Sequence, residues 1–337
     1  VDLFLDVFEK YAPDRPLSRP GKDVLCPFHE ESNPSASWYV CPDGVVRFKD
    51  FHRRGEDGDT TDTYDVIDCY VAFRSGGPLK RITEPRERVL WAARLAEEFG
   101  RLPEKAKRAV AKFDLYIIAA RDLPVLTESD VRALDKVLGW LRDRCMAQAC
   151  LGYDVFGDSV RYIEAHTGVD KALVNRSIDL ACLLGMLEKT EEPSSQEQRR
   201  PDRLRLRGTT VRAIIDAARK LLRVGVTSLR KLNQNVAYLA FGARRVMAVF
   251  RRQSDKWEAE GRLPRWMLRE LKRTEAQPAA VPQQTAARTE QVRPPWIAKA
   301  VAEFDRLLGT LLSGAAAGPP EPSTPPPRDP VLALLHA

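Results

Sequence analysis

Cys26-Pro27-Phe28-His29 opens the stretch of this 337-residue chain on which its reading turns. It is followed by Asn33-Pro34-Ser35-Ala36-Ser37-Trp38-Tyr39-Val40, the turn Pro42-Asp43-Gly44 and the return Val45-Val46-Arg47-Phe48-Lys49-Asp50-Phe51-His52. A cysteine and a histidine separated by two residues can offer a sulfur and an imidazole nitrogen to one tetrahedral Zn²⁺. The runs Trp38–Val40 and Val45–Phe48 are β-branched or aromatic and flank a Pro-Asp-Gly turn, which predicts a hairpin. That ribbon of two or three strands would bring a second pair of ligands back beside the first.

Cys-Pro-Phe-His, the following Asn-Pro-Ser, the hairpin, and Asp65-Val66-Ile67-Asp68 leading into a helix together resemble the CHC-type zinc-binding domain of bacterial and phage DNA primases. The resemblance covers residues 1 to about 73, including a preceding helix over Val1–Tyr11. It implies a zinc ribbon. The chain departs from the family on the returning strand, where a Cys-x-x-Cys pair is replaced by Asp50 and Arg53, with His52 between them. Three alternatives follow. Zn²⁺ is held by Cys26, His29 and His52 with Asp50 or Cys41, since imidazole and carboxylate are acceptable ligands; or the ribbon has lost its metal and stands on aromatic pairs; or the match is accidental.

Outward from this stretch, length and composition predict several domains. The expected fold class is α+β, mainly α: a primase-like ribbon over 1–77, a helical connector over 78–126, a winged helix over 127–208, a basic helical region over 209–273, and a Pro-rich tail over 274–337. No apolar run approaches the ~18 residues of a membrane span, and the N-terminus has no signal-like layout. The expectation is therefore a soluble, cytoplasmic, nucleoid-associated protein. The scattered cysteines fit reduced thiols.

Charge is concentrated in one block. From Arg199 to Arg273 there are 21 lysines and arginines against six acidic residues, a net +15 in a chain whose total is +7. Such an excess is the electrostatic footprint of a nucleic-acid binder, here DNA; an Arg-rich solvated surface is the plainer alternative.

After the ribbon strands, Tyr64–Arg74 reads as a helix; in the connector Pro85–Phe99 reads as another, and Arg101–Ala120 as a helix whose Leu115–Ile118 end could instead be a strand. Thr127-Glu128-Ser129-Asp130 has the oxygen caps and acids of a helix start, and that helix runs to about Cys150. A short helix over Asp158–Thr167, a turn at Gly168, a helix over Lys171–Leu184, and strands at Met186–Lys189 and Arg203–Arg207 follow in the order of a winged helix-turn-helix. Ile163 to Val169 (I-x-x-x-T-G-V) and the later Leu-Gly-Met-Leu resemble that superfamily. The resemblance implies that the second motif helix enters the major groove, with Lys171, Asn175 and Arg176 toward DNA and Arg199, Arg200, Arg203 and Arg205 on the wing. Asn and Arg suit adenine and guanine edges, whereas Asp170 and Asp179 would repel phosphate.

Further helices are expected at Thr210–Arg223 and Ser228–Arg252, the second carrying Arg244, Arg245, Arg251 and Arg252 toward phosphates. After Arg273 the sequence turns to Gln, Ala and Pro, a linker, with an amphipathic helix at Trp296–Leu312 suited to a helicase, polymerase or primase-subunit partner. No strand-borne carboxylate cluster for Mg²⁺ and no nucleotide-binding Gly-rich loop is found. Asp57-Gly58-Asp59 is better explained by a turn, and His166 as a packed residue. The reading is a DNA-binding replication or priming accessory of a plasmid, phage or integrated element. A winged-helix transcriptional regulator and a subunit of a multi-component primase are the alternatives.

Overall fold

The computed structural model describes residues 1–51, 63–123, 126–190, 203–250 and 268. The chain is α+β and mainly helical, and divides into two compact units. The first holds Val1–Ala106 and Cys150–Gly152; the second holds Lys107–Ala149 and the described part of Tyr153–Glu290. Among the described residues, no helix is long and apolar enough to cross a membrane.

In the first unit, α1 (Asp2–Tyr11) precedes an antiparallel sheet of β1 (Asp23–Val24), β2 (Ala36–Val40), β3 (Val46–Asp50) and β4 (Thr63–Tyr64), paired in chain order. The expected hairpin is β2–β3, and Trp38 pairs opposite Phe48. Its turn is tied by Cys41 N–H to Val45 O (2.8 Å) and by Val45 N–H to the Asp43 carboxylate (3.0 Å), with Gly44 at φ 82°. β3 alternates, so that Val46, Phe48 and Asp50 all face inward. Onto that face α1 lays Phe8, whose ring meets Phe4, Phe28, Phe48 and Phe73 at centroid distances of 4.7–6.3 Å. Aromatic burial of this kind supplies most of a small domain's cohesion.

α2 (Val66–Ser75) starts in a reciprocal capping box: Asp65 accepts from the Ile67 and Asp68 N–H groups, and Asp68 accepts from Asp65 N–H. It stops at Gly76, whose φ of 62° suits a residue without Cβ. α3 (Pro85–Glu98) sends Arg88 back to that cap. Arg88 bonds Asp65 and lies 3.6 Å from Asp68, and Arg47 of β3 is 3.7 Å from Asp65. Two buried carboxylates and two guanidiniums thereby join the sheet, α2 and α3.

α4 (Glu104–Arg121) is helical throughout, so the strand alternative for Leu115–Ile118 does not form. α5 (Glu128–Cys150) begins as expected, Thr127 and Asp130 bonding each other's side chain and backbone. In the second unit a strand that the sequence reading lacks, β5 (Val155–Phe156), precedes α6 (Val160–Thr167). Gly168 at φ 66° then turns the chain into α7 (Lys171–Leu183), followed by β6 (Leu187–Lys189) and β7 (Leu204–Leu206). The sheet order is β5-β7-β6, all antiparallel. Buried Asp158 anchors the start of α6 on α5 through Trp140 Nε1–H (3.0 Å) and Arg144 (2.9 Å).

α8 (Val211–Arg223) buries Ile214, Ala217, Ala218 and Leu221, a helical stripe. The single helix expected over Ser228–Arg252 is instead a short 3₁₀ turn (Leu229–Lys231), α9 (Gln234–Phe241) and α10 (Ala243–Val249). The break falls at Gly242 (φ 77°, ψ 172°), a conformation costly for any residue with a Cβ, while Asn233 caps a fresh start by accepting from Val236 N–H. A short basic helix expected over Trp257–Arg273 lies, Leu268 apart, outside the described residues, as does Trp296–Leu312.

Candidate metal centre and basic surfaces

Cys26 and His29 sit on a loop that other groups hold in shape. The Arg15 guanidinium donates to the carbonyls of Cys26 and His29 (2.7 Å to the latter), and Glu31 accepts from the Cys26 N–H and the Ser35 hydroxyl. β2 then crosses to β3, and the pairing of Ala36 with Asp50 returns a carboxylate to the start of the hairpin. Donor atoms of Cys26, His29 and Asp50 all lie within 4.8 Å of one another. Asp50 Oδ2 is 3.8 Å from Cys26 Sγ and 3.7 Å from His29 Nδ1.

Such a group can hold a metal ion. A tetrahedral site with bonds of ~2.0–2.3 Å has donor–donor edges of about 3.3–3.5 Å, so the two separations from Asp50 need shrink only by tenths of an ångström. The position of Asp50 is the more telling fact. It is fully buried where the alternation of β3 calls for an apolar side chain, and a buried carboxylate is costly unless a cation or donors compensate it. Burial, reinforced by the nearby Asp50 and Glu31 and opposed by the Phe28 N–H, pushes the Cys26 thiol up to about 12. The metal-free thiol is therefore protonated at neutral pH, and metal entry would release that proton.

Of the residues expected to ligate, Cys26, His29 and Asp50 are brought together; His52 lies outside the described residues. Cys41 does not join them. It occupies the hairpin turn, five residues beyond Ala36 on an extended strand and so about 17 Å from the Asp50 end. Sequence reasoning missed Glu31, whose Oε2 is 3.3 Å from His29 Nε2. The only sequence signal for it is an acid two residues past a candidate ligand.

The basic residues are in the second unit. On α7, Lys171 and Asn175 are exposed and Arg176 is half-buried. The acids beside them are engaged: Asp170 caps α7 by accepting from Ala172 N–H (2.8 Å), and Asp179 pairs with Lys189 (2.8 Å). Arg203 and Arg205 are exposed around β7, Arg205 lying 3.4 Å from Glu188. Arg244 is exposed, but Arg245 is half-buried over the Phe241 ring (4.9 Å) and against Gly185, and burial followed by the nearby Arg207 lowers its pKa. Between Arg203 and Phe250 there are eleven lysines and arginines and a single acid, Asp216, itself paired with Arg219. Arg199, Arg200, Arg251 and Arg252 lie outside the described residues. His166 packs between the rings of Trp140 and Tyr162 and bonds the Tyr162 carbonyl through Nδ1.

No protein-family model, curated protein or solved structure matches the chain.

Proposed function

We propose that this chain is a DNA-binding accessory of replication or primer synthesis, built from a primase-type zinc ribbon and a winged helix. The observation that carries the DNA reading is the eleven-to-one excess of cations over acids between Arg203 and Phe250, most of them exposed. Solubility needs no such excess, and phosphate neutralisation uses one. The winged-helix reading is supported by element order. A helix, a short strand, two helices joined by a Gly turn and a hairpin follow one another, and β5 pairs with the last strand. That arrangement leaves the first turns of α7 open, where Lys171 and Asn175 are exposed for a major groove.

The zinc reading is supported by the donor set. Sulfur, imidazole and carboxylate in one buried cluster suit Zn²⁺ better than Mg²⁺ or Ca²⁺, which prefer oxygen alone. When bound, the ion would tie the Cys26–His29 loop to the end of β3. Cys26, His29 and Asp50 would hold it.

The test is duplex binding by the full chain as salt is raised. With 6–10 phosphates neutralised, affinity should fall by about 10³–10⁵ between 50 and 200 mM salt. Arg244→Glu should weaken all sequences alike, while Asn175→Ala or Arg176→Ala should cost about 1–3 kcal/mol of discrimination between sequences. Salt-independent affinity would end the DNA reading. Sequence-specific binding without any stimulation of template-dependent primer synthesis would move the assignment to a transcriptional regulator.

A further inference from the structure

We infer that Glu31 is the positioning carboxylate of the metal centre, holding His29 so that Nδ1 takes the metal and Nε2–H is turned to Glu31. This rests on the metal-binding reading of the site. The imidazole lies between two carboxylates, Nδ1 3.7 Å from Asp50 Oδ2 and Nε2 3.3 Å from Glu31 Oε2. The two sides are not equivalent. Asp50 Oδ2 is also the oxygen 3.8 Å from Cys26 Sγ, so the side where sulfur and carboxylate converge is the Nδ1 side. Glu31 does not belong to the group of donors that lie within 4.8 Å of one another.

The chemistry of the ring completes the argument. A neutral imidazole that gives one lone pair to a metal carries its proton on the other nitrogen, and that N–H needs an acceptor. Glu31 Oε2 stands 3.3 Å from the buried Nε2, just beyond the usual N–H···O range, so that a small turn of the ring on metal binding would close the bond. It is itself fixed: its side chain is 6% exposed, the Cys26 N–H donates to Oε1, and the Ser35 hydroxyl donates to Oε2. The carboxylate that orients the histidine ligand therefore also grips the backbone of the cysteine ligand. An outer carboxylate of this kind sets ring orientation and ligand basicity, and its loss typically costs 10–100-fold in metal affinity.

The experiment uses the full chain, Zn²⁺ in competition with a chromophoric chelator, and long-range proton–nitrogen correlation spectra of its four histidines, with His29 assigned through His29→Gln. The expected wild-type spectrum has His29 metallated at Nδ1 and protonated at Nε2. Glu31→Ala should weaken Zn²⁺ by about 10–100-fold, and Glu31→Gln, which keeps an acceptor oxygen, should lose less and retain the Nδ1 pattern. Should Glu31→Ala fail to fold, the spectrum of wild type and of Glu31→Gln still decides. His29 metallated at Nε2 would overturn the inference and leave the metal reading intact, as would unchanged affinity in folded Glu31→Ala. Loss of binding in Glu31→Gln as complete as in Cys26→Ser would make Glu31 a ligand and overturn the positioning role. Absence of Zn²⁺ uptake by the wild type would overturn the metal reading, and this inference with it.

Discussion

The two sheets of this protein use strands differently. In the first unit every strand pairs with its neighbour in sequence, and the inner face of β3 collects chemistry: Asp50 beside Cys26 and His29, with the buried Asp65–Asp68–Arg88 cluster on the next helices. In the second unit β5 skips past β6 to pair with β7, and, apart from the buried Asp158–Arg144 pair, its cations are displayed outward: Lys171, Arg203, Arg205 and Arg244 are exposed, as is Asn175. The contrast shows where to look for consequences. A charge turned inward is read in stability, because its desolvation must be compensated; a charge turned outward contributes little to folding and is read in binding.

The largest effect that would test this contrast is metal removal. Structural zinc can supply on the order of 10 kcal/mol of folding free energy in small domains. Chelating the zinc-loaded protein should therefore speed amide exchange in Trp38–Val40 and Val46–Asp50 by about 100-fold or more, and leave α7 unchanged. Equal loss of protection in both sheets would break the comparison.

Next is Arg88→Ala, which leaves Asp65 and Asp68 buried without their main cation. Urea unfolding should show a loss of about 3–5 kcal/mol, whereas Arg205→Ala, an exposed arginine, should stay within about 0.5 kcal/mol. Similar costs at the two positions would erase the distinction between inward and outward charge.

A smaller effect is expected at Gly185, the turn between α7 and β6. Its φ is 81°, and an added Cβ would stand 2.9 Å from Arg245 Nη2 and 3.2 Å from Thr209 Oγ1. Gly185→Ala should cost about 1–2 kcal/mol, with thermal melting as the readout. Arg245 can swing aside, so the strained backbone sets the cost. A neutral result would show that this turn relaxes.

The narrowest test is a pH effect at Glu98, confined to acid. Burial pushes its carboxyl up, but hydrogen bonds from Lys10, Tyr11 and Tyr70 outweigh burial and bring the pKa down to about 2. A depressed carboxylate contributes stability that is present above its unfolded pKa and lost as pH falls through the folded one. Melting curves of wild type minus Glu98→Gln should therefore diverge above about pH 4.5 and converge toward pH 2. A constant difference across that window would assign Glu98 no titrating role.

What could be read from sequence was whatever depends on neighbours along the chain. The hairpin at Pro42-Asp43-Gly44, the cap at Thr127–Asp130 and the turn at Gly168 all carry their instructions within a few residues, and all form where expected. β5 was missed because two residues have no period; Val155 and Phe156 become a strand only when β7 arrives opposite them. The break at Gly242 was legible in principle, since a lone glycine in a helical pattern is a warning, but the apolar spacing on both sides outweighed it. At the candidate metal site the cysteine–histidine spacing pointed to two donors. Asp50 became decisive only once it was seen buried, and Glu31 only once the loop had closed around it.

The pairing of β5 with β7 also has a consequence during synthesis. Phe156 leaves the ribosome about 48 residues before Leu204, its eventual partner, and at 5–20 residues per second that is a delay of about 2–10 s. Throughout it the nascent chain carries a segment without its strand partner and an aromatic ring that will later be buried. The first unit has no such wait, because each of its strands meets its partner within a short loop or the next turn of translation. An N-terminal unit whose strands find their partners quickly, followed by one that must wait for β7, makes the second unit the place where chaperone binding and misassembly should concentrate.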